Sequence, residues 1–209
     1  MKLYDFKPAP NPRRVRIFLA EKGLQVPIVP VDFAAREQLS EEFRRINPEC
    51  TVPVLQLDDG RYISDVFAIC DYFENYQPQP ALIGDSAENR AEILMWNGRI
   101  ESAGFAGIAE SYRNFAKGMV GRALPGPDNY EQIADLIERG TRRANAFYGR
   151  LDQHLAGREF VAGDRFSIAD ITGMVSVDFA KNIKLDLPAQ FSNLRRWYEG
   201  LAARPSAAA

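Results

Sequence analysis

The chain has 209 residues, a formal net charge of −2, and hydrophobic and charged fractions of 46% and 26%, values that are ordinary for a soluble globular protein. The near-neutral charge provides no basic field for nucleic acid. No run approaches the roughly 18 apolar residues of a membrane-spanning helix, and the first residues lack the apolar core of a signal peptide. We therefore expect a cytoplasmic protein of one large domain or two small ones, with neither nucleic acid nor a membrane as a partner.

The cysteine and histidine content argues against several kinds of site. Cys50 and Cys70 lie far apart, with no CxxC motif and no histidine nearby, which excludes a zinc site and a dithiol redox motif. The single histidine, His154, falls within a helical pattern and is expected on a helix surface. Catalysis by a Ser-His-Asp triad and metal binding are therefore not predicted.

Strand and helix patterns alternate over the first 76 residues or so. Prolines at positions 8, 10 and 12 indicate a loop between the first strand and the first helix. Asp58-Asp59-Gly60, between two apolar runs, indicates an antiparallel hairpin. The predicted order is a strand at 2–6, a helix that stops at Gly23, an edge strand at 26–31, a helix at 37–46, strands at 53–57 and 61–63, and a helix that Ser64 caps. This β-α-β-α-β-β-α order predicts a small mixed sheet with helices on its faces.

The most informative stretch runs from Asn47 to Leu57. A helix ends at Asn47-Pro48, and Val52-Pro53 then opens an apolar strand, a position where the missing N–H of proline costs no ladder bond. An X–Pro bond prefers the trans form by only about 0.5–1 kcal/mol. In the cis form the N–H and C=O of Val52 would face outward and pair with an extended peptide. The alternative is a trans proline that merely starts the strand.

After Gln77-Pro78-Gln79-Pro80 the strand signals stop and the pattern becomes helical. Ser167 and Asp170 have the spacing of a capping box at the start of a buried helix. Other helices are predicted at 87–117, 133–155 and 191–201, with a frayed tail from residue 206. We expect a first domain at 1–77, a linker at 78–86 and an all-helical domain at 87–209.

In order and spacing, these motifs resemble the cytosolic glutathione transferase family over nearly the whole chain. They are Asn47-Pro48, Val52-Pro53-Val54-Leu55, Ile63-Ser64-Asp65, Ala68-Ile69 and Phe166-Ser167-Ile168-Ala169-Asp170. The resemblance, to bacterial nu-, beta- and theta-like members, implies a thioredoxin-like N-terminal domain that binds glutathione, an all-helical C-terminal domain with an apolar co-substrate pocket, and a homodimer. It also implies glutathione as the co-substrate, without a metal.

The family places a Tyr, Ser or Cys that activates the glutathione thiol between the first strand and the first helix. Here Ala9 stands where the theta and zeta classes have serine, and Tyr4 is one residue out of the tyrosine register, so we expect Tyr4 to pack in the sheet. Asn11 is the remaining polar candidate and matches the asparagine of nu-class and beta-like bacterial members. Its amide can donate to a thiolate but cannot act as a base. The alternative is that Asn11 only caps the helix.

For the rest of the glutathione site, the resemblance implies Val52, before Pro53, for the cysteinyl backbone, Gln38 for the glycine carboxylate and Asp65 for the γ-glutamyl ammonium. The chain departs from the family at Val66, where members usually have a Ser or Thr that binds the γ-glutamyl carboxylate. The N–H of Val66 remains, but a hydroxyl bond worth about 1.5–3 kcal/mol, or roughly 10- to 150-fold in affinity, is lost. Glutathione binding is therefore expected, but weakened.

Aromatic and basic side chains suggest two further features. Phe6, Phe105, Tyr112 and Phe115 are candidates for the co-substrate pocket, although aromatic residues at helical spacing also suit a plain core. The cluster Arg13-Arg14-Val15-Arg16 is expected to form a solvated helix face with dimer contacts.

The sequence thus favours a dimeric glutathione transferase that conjugates glutathione to an apolar electrophile or uses it to reduce peroxides or disulfides. The alternative is a non-catalytic, transferase-like scaffold that binds a protein partner or an apolar ligand. Ala9 and Val66 favour the scaffold, whereas Asn11, Val52-Pro53 and Asp65 favour the enzyme.

Overall fold

The computed structural model describes residues 1–209, and the chain divides into two compact units. The N-terminal unit comprises Met1–Pro80, with Leu124–Asn129 and Ala209, and the helical unit comprises Ala81–Ala123 and Tyr130–Ala208. The predicted fold class is confirmed, because a β-α-β-α-β-β-α segment precedes a part that is entirely helical. None of the helices combines the length and apolar content that crossing a bilayer requires.

The N-terminal unit is built on a four-stranded sheet in the order β2-β1-β3-β4. Its strands are β1 (Lys2–Asp5), β2 (Ile28–Pro30), β3 (Val54–Gln56) and β4 (Tyr62–Ser64). Strands β1 and β2 are parallel, whereas β3 is antiparallel to both of its neighbours. The proline-bearing strand β2 lies at the edge and β3 and β4 form the hairpin, both as predicted.

Four helical segments accompany this sheet: α1 (Pro10–Lys22), a 3-10 turn (Glu37–Leu39), α2 (Glu41–Ile46) and α3 (Val66–Tyr76). The single helix predicted at 37–46 is wrong. Ser40 is extended and its Oγ accepts the Phe43 N–H at 3.1 Å, so a new helix begins after it. The loop predicted up to Pro12 is also wrong, because α1 begins at Pro10; the first helical turn tolerates proline since its N–H groups have no intrahelical partner.

The end of α1 is tied to the connector by a buried lysine. The Lys22 ammonium lies 2.5 Å from a Glu74 carboxylate oxygen and donates to the carbonyls of Gln77 at 2.8 Å and Pro80 at 2.6 Å. Both charged residues are buried, at 3% and 7% exposure. Lys22 therefore links the ends of α1 and α3 to the proline-rich connector.

The helical unit contains α4 (Ala87–Arg99), α5 (Ala106–Phe115), α6 (Asp135–His154), α7 (Ile168–Ala180) and α8 (Ser192–Ala202). The π-helical stretch Ile100–Phe105 joins α4 to α5, so the long helix predicted from residue 87 continues with one change of pitch. Helices α5 and α6 approach closely at two glycines. A Cβ on Gly107 would lie 2.9 Å from the Gly140 carbonyl oxygen, so the backbones nearly touch.

Three expectations about the helical unit are wrong. Helix α6 begins at Asp135, and Ile133 lies before it with 54% exposure. His154 is half-buried rather than on the surface, since its ring stacks on Trp96 at 3.8 Å. The tail is not frayed, because Pro205–Ala208 forms a 3-10 turn with Ser206 buried.

The predicted capping box at the start of α7 is confirmed. The buried Asp170 carboxylate accepts the Ser167 N–H and hydroxyl, each at 3.0 Å. It also accepts the Val161 N–H and the Trp197 indole N–H, each at 2.9 Å. Burial raises the pKa of Asp170 to about 6, although the hydrogen bonds from these donors act to lower it. One carboxylate thus joins three segments of the helical unit.

Candidate functional site

Strand register brings several predicted site residues to one end of the sheet. Tyr4 pairs with Val54, and Val54 pairs with Ser64. Because β3 is antiparallel to both partners, the segment that precedes β3 lies beside the segments that follow β1 and β4. Val52-Pro53 and Asp65-Val66 therefore share an end of the sheet.

The same end receives the segments that follow the parallel pair β1 and β2. Phe6 follows β1 and Phe33 follows β2, and their rings stack with centroids 4.4 Å apart and planes 15° apart. In open α/β sheets, ligands bind at the carboxyl ends of the strands. Helix α1 begins just beyond β1 and α3 just beyond β4, so two helix N-termini, which carry partial positive charge, also lie here.

The backbone N–H and C=O of Val52 form an unused peptide edge, that is, a stretch of backbone available to pair with another extended chain. Neither its N–H nor its C=O takes part in a backbone hydrogen bond, although its side chain packs in the core at 8% exposure. The peptide bond to Pro53 is cis, one of the two forms that the sequence left open. Asn47 fixes the preceding loop: its Nδ2 donates to the Thr51 carbonyl at 2.9 Å and its Oδ1 accepts the Glu49 N–H at 3.1 Å.

At the start of α3 the predicted cap is wrong. Ser64 is the last residue of β4, and the cap is Asp65, whose Oδ1 accepts the N–H groups of Phe67 at 2.8 Å and Ala68 at 3.1 Å. Asp65 has φ of 103°, an unusual conformation for a residue with a side chain. The hydrogen bonds of this carboxylate use Oδ1 alone, and the Val66 N–H makes no backbone hydrogen bond, so Oδ2 and this N–H remain available to a ligand.

Gln38 contributes a buried, unpaired amide oxygen. Its side-chain Oε1 is buried and has no hydrogen-bond partner. Leaving a buried polar atom unpaired costs about 1–3 kcal/mol. Gln38 lies on the 3-10 turn between β2 and α2. This segment leaves the sheet at the end that carries Val52-Pro53 and Asp65-Val66, which we call the site end.

Asn11 lies in the first turn of α1 rather than in a loop. The N-cap residue is Ala9, with no side-chain cap, so the alternative in which Asn11 caps the helix is wrong. The Asn11 Oδ1 lies 3.4 Å from the Arg14 guanidinium Nη1. Its Nδ2 donates to no group of the protein, and the residue is half-buried.

The arginine cluster is not the solvated face that the sequence predicted. Arg14 is only 3% exposed. Arg16 binds both carboxylate oxygens of Asp5 at 2.7 Å and donates to the Lys7 carbonyl at 2.9 Å. A buried carboxylate requires such a partner. The charged Asp5 at the end of an apolar strand was the sequence signal for this ion pair.

In the helical unit, the rings of two predicted pocket residues both contact the ring of Phe179. The rings of Phe105 and Tyr112 lie 5.5 Å and 5.3 Å from the ring of Phe179. Phe179, on α7, is not among the pocket residues that the sequence predicted. Phe115 makes no ring contact and is 54% exposed, so the structure does not bring it into this aromatic cluster.

The four-stranded sheet with its helices and the all-helical part that follows define a thioredoxin-like class of protein with an added helical domain, and comparison with known proteins names the family. The family model "Glutathione S-transferase, N-terminal domain" matches residues 9–75. The model "Glutathione S-transferase, C-terminal domain" matches residues 114–205.

Individual relatives match over nearly the whole chain. Glutathione S-transferase 2 of Saccharomyces cerevisiae is 35% identical over 211 residues, covering 99% of this chain and 87% of the relative. A glutathione S-transferase domain-containing protein of Marinobacter aquaeolei VT8 is 40% identical, with a TM-score of 0.90 and 99% coverage of both chains. The structure of Gtt2 from Saccharomyces cerevisiae gives 33% identity and a TM-score of 0.91, covering 100% of this chain and 99% of that one. The chain belongs to the glutathione S-transferase family.

Proposed function

We propose that this protein is an enzyme that binds glutathione at the site end of its sheet and presents the thiolate to a second substrate. The observation that carries the proposal is the unused peptide edge of Val52. Because an extended peptide pairs with such an edge as an added strand, the cysteinyl unit of glutathione can bind there through its own N–H and C=O. The family relatives support this assignment.

The ends of glutathione are assigned to the remaining unpaired groups. The free oxygen of Asp65 accepts the γ-glutamyl ammonium, while the Val66 N–H, at the positive end of α3, binds the γ-glutamyl carboxylate. Gln38 donates its amide N–H to the glycine carboxylate. Val66 supplies no hydroxyl, and its side chain is 5% exposed, so one hydrogen bond of the family pattern is missing.

The chemical task is to hold glutathione as a thiolate. A free thiol has a pKa near 8.5, so only a few per cent is ionised at neutral pH. Donation from Asn11 Nδ2 and the N-terminus of α1 stabilises the anion and lowers that pKa. Because an amide cannot accept the thiol proton as a base, the proton leaves to solvent. The sulfur then attacks an electrophilic carbon and forms the thioether as the leaving group departs.

The second substrate is proposed to be apolar. Phe105, Tyr112 and Phe179 form a cluster of half-buried rings that suits such a molecule, and we retain the exposed faces of Phe6 and Phe115 as further candidate contacts. Because Asn11 matches the asparagine of nu-class members, reduction of peroxides or disulfides by glutathione is the alternative reaction. We further propose a homodimeric, cytoplasmic protein.

The test is glutathione conjugation by Asn11→Ala. We expect kcat/KM to fall about 100- to 1000-fold, the range for loss of one donor to a reacting anion, with little change in glutathione affinity. Asn145→Ala on the exposed face of α6 is the matched control and is expected to leave the activity unchanged. Equal activity of the parent and Asn11→Ala in conjugation, peroxide and disulfide assays would remove Asn11 from the mechanism.

The alternative is a transferase-like scaffold without catalysis, which Ala9 and Val66 favour. Ala9 leaves the usual hydroxyl donor absent, and the buried Val66 removes a glutathione contact. A parent protein that neither binds nor consumes glutathione would support this alternative over the enzyme.

A further inference from the structure

Arg14 lies one helical turn after Asn11, on the same side of α1. Its guanidinium Nη1 is 3.4 Å from the Asn11 Oδ1, and the residue is 3% exposed. An arginine side chain has five N–H donors and no acceptor, so a buried guanidinium can approach an amide only through the carbonyl oxygen of that amide.

This constraint selects one of the two orientations of the Asn11 amide. With Oδ1 held toward Arg14, Nδ2 lies on the other branch of the amide and makes no hydrogen bond to the protein. The opposite orientation would set Nδ2 against the guanidinium, donor against donor. It would also turn Oδ1 to the site, where a carbonyl oxygen repels a thiolate.

We propose that Arg14 is a positioning residue for the reaction: it locks the Asn11 amide so that Nδ2 donates to the thiolate of glutathione. This inference rests on the proposed function, since it names the residue that makes Asn11 a donor. Arg14 acts through Asn11, so its effect on the thiolate disappears when Asn11 is absent.

The first test needs no glutathione. The side-chain amide of Asn11 is observed by NMR in the parent, Arg14→Met and Arg14→Lys, with thermal unfolding to verify that each variant is folded. The inference predicts a single, immobilised amide in the parent and a mobile or flipped amide in Arg14→Met. Arg14→Lys keeps a donor-only cation and is expected to restore part of the order. An amide that is equally ordered in all three proteins would overturn the inference, whatever the protein does with glutathione.

The second test measures the thiolate fraction of bound glutathione against pH by ultraviolet absorbance. We expect Arg14→Met and Asn11→Ala each to lower the ionisation constant of the bound thiol by about tenfold, for the loss of a charge-assisted donor, and so to reduce the thiolate fraction at neutral pH. The Arg14→Met, Asn11→Ala double variant should match Asn11→Ala alone, because Arg14 has nothing left to orient.

Two outcomes of the second test separate the two proposals. If Asn11→Ala lowers the thiolate fraction and Arg14→Met does not, or if the two effects add in the double variant, Arg14 does not act through Asn11 and the inference is overturned while the proposed function stands. If the parent shows no bound thiolate at all, the proposed function fails, and the orientation of the Asn11 amide is then decided by NMR alone.

Discussion

At the start of α3, Asp65 and Val66 determine which groups remain available to a ligand. One oxygen of Asp65 already caps the N–H groups of Phe67 and Ala68, and only the other is unpaired. Replacing Asp65 would therefore remove the helix cap together with the proposed ammonium contact, and the two losses could not be separated. Val66 is the cleaner probe, since a change there adds a hydroxyl and leaves the cap in place.

At the residue scale, Asp170 makes stability depend on pH. Burial raises its pKa from 3.8 to about 6, so the native state holds this proton at a pH where the unfolded chain has lost it. Stability should therefore fall as the pH rises from about 4 to about 6, by at most about 3 kcal/mol from this group. The measurement is the free energy of unfolding of the parent minus that of Asp170→Asn across this window.

The difference between the two proteins cancels the titration of all other groups. Asp186→Asn, at an exposed position, controls for removal of a charge alone. A difference that stays constant between pH 4 and pH 6 would show that Asp170 does not titrate in this window.

At the scale of elements, the buried Lys22 is expected to be the most sensitive link between α1, α3 and the connector. Lys22→Met leaves the Glu74 carboxylate and two carbonyl oxygens without their cation. Removing one member of a buried ion pair costs about 3–5 kcal/mol. Urea unfolding of the full chain should show a loss of this size.

The control for Lys22 is the double variant Lys22→Met, Glu74→Gln, which removes the buried charge along with its partner. We expect the double variant to be more stable than Lys22→Met alone. Equal losses in both would mean that the loss of the cation beside the Glu74 carboxylate is not the cause.

The contact of α5 with α6 depends on glycine. A Cβ on Gly140 would lie 2.7 Å from the Ser111 backbone nitrogen, so neither helix can keep its place. We expect Gly140→Ala to destabilise the protein by about 1–3 kcal/mol, as overpacking does. Thermal or urea unfolding measures the loss.

Gly98 on α4 is the matched control for Gly140. A Cβ there meets nothing within 4 Å, so Gly98→Ala should stabilise the protein by about 0.5–1 kcal/mol through helix propensity. A Gly140→Ala variant that is as stable as the parent would contradict the close approach of α5 and α6.

At the scale of the whole molecule, the sequence predicted the fold because its signals are local and repeated. The Asp-Gly hairpin, the edge strand with prolines and the capping box at Ser167 each depend on a few neighbouring residues. All three are found in the structure. Their order along the chain was sufficient to identify the architecture.

The features that the sequence did not predict depend on distant contacts or on backbone conformation. Arg14 is buried by tertiary packing, which helical periodicity does not encode, and the pair of Arg16 with Asp5 joins a helix to a strand. The cap at Asp65 rather than Ser64 follows from a backbone with φ of 103°. Because such conformations are rare for residues with side chains, local pattern favoured the serine.

The central claim, a glutathione site at the Val52 edge and the start of α3, is tested most directly by calorimetric titration of the full chain with glutathione, for the parent, Val66→Ser and Val66→Ala. We predict saturable binding by the parent at micromolar to low-millimolar glutathione, and roughly 10- to 150-fold tighter binding by Val66→Ser from the restored hydroxyl bond. Val66→Ala lacks the hydroxyl and should show no gain. Failure of both the parent and Val66→Ser to bind glutathione would contradict the assignment of this site.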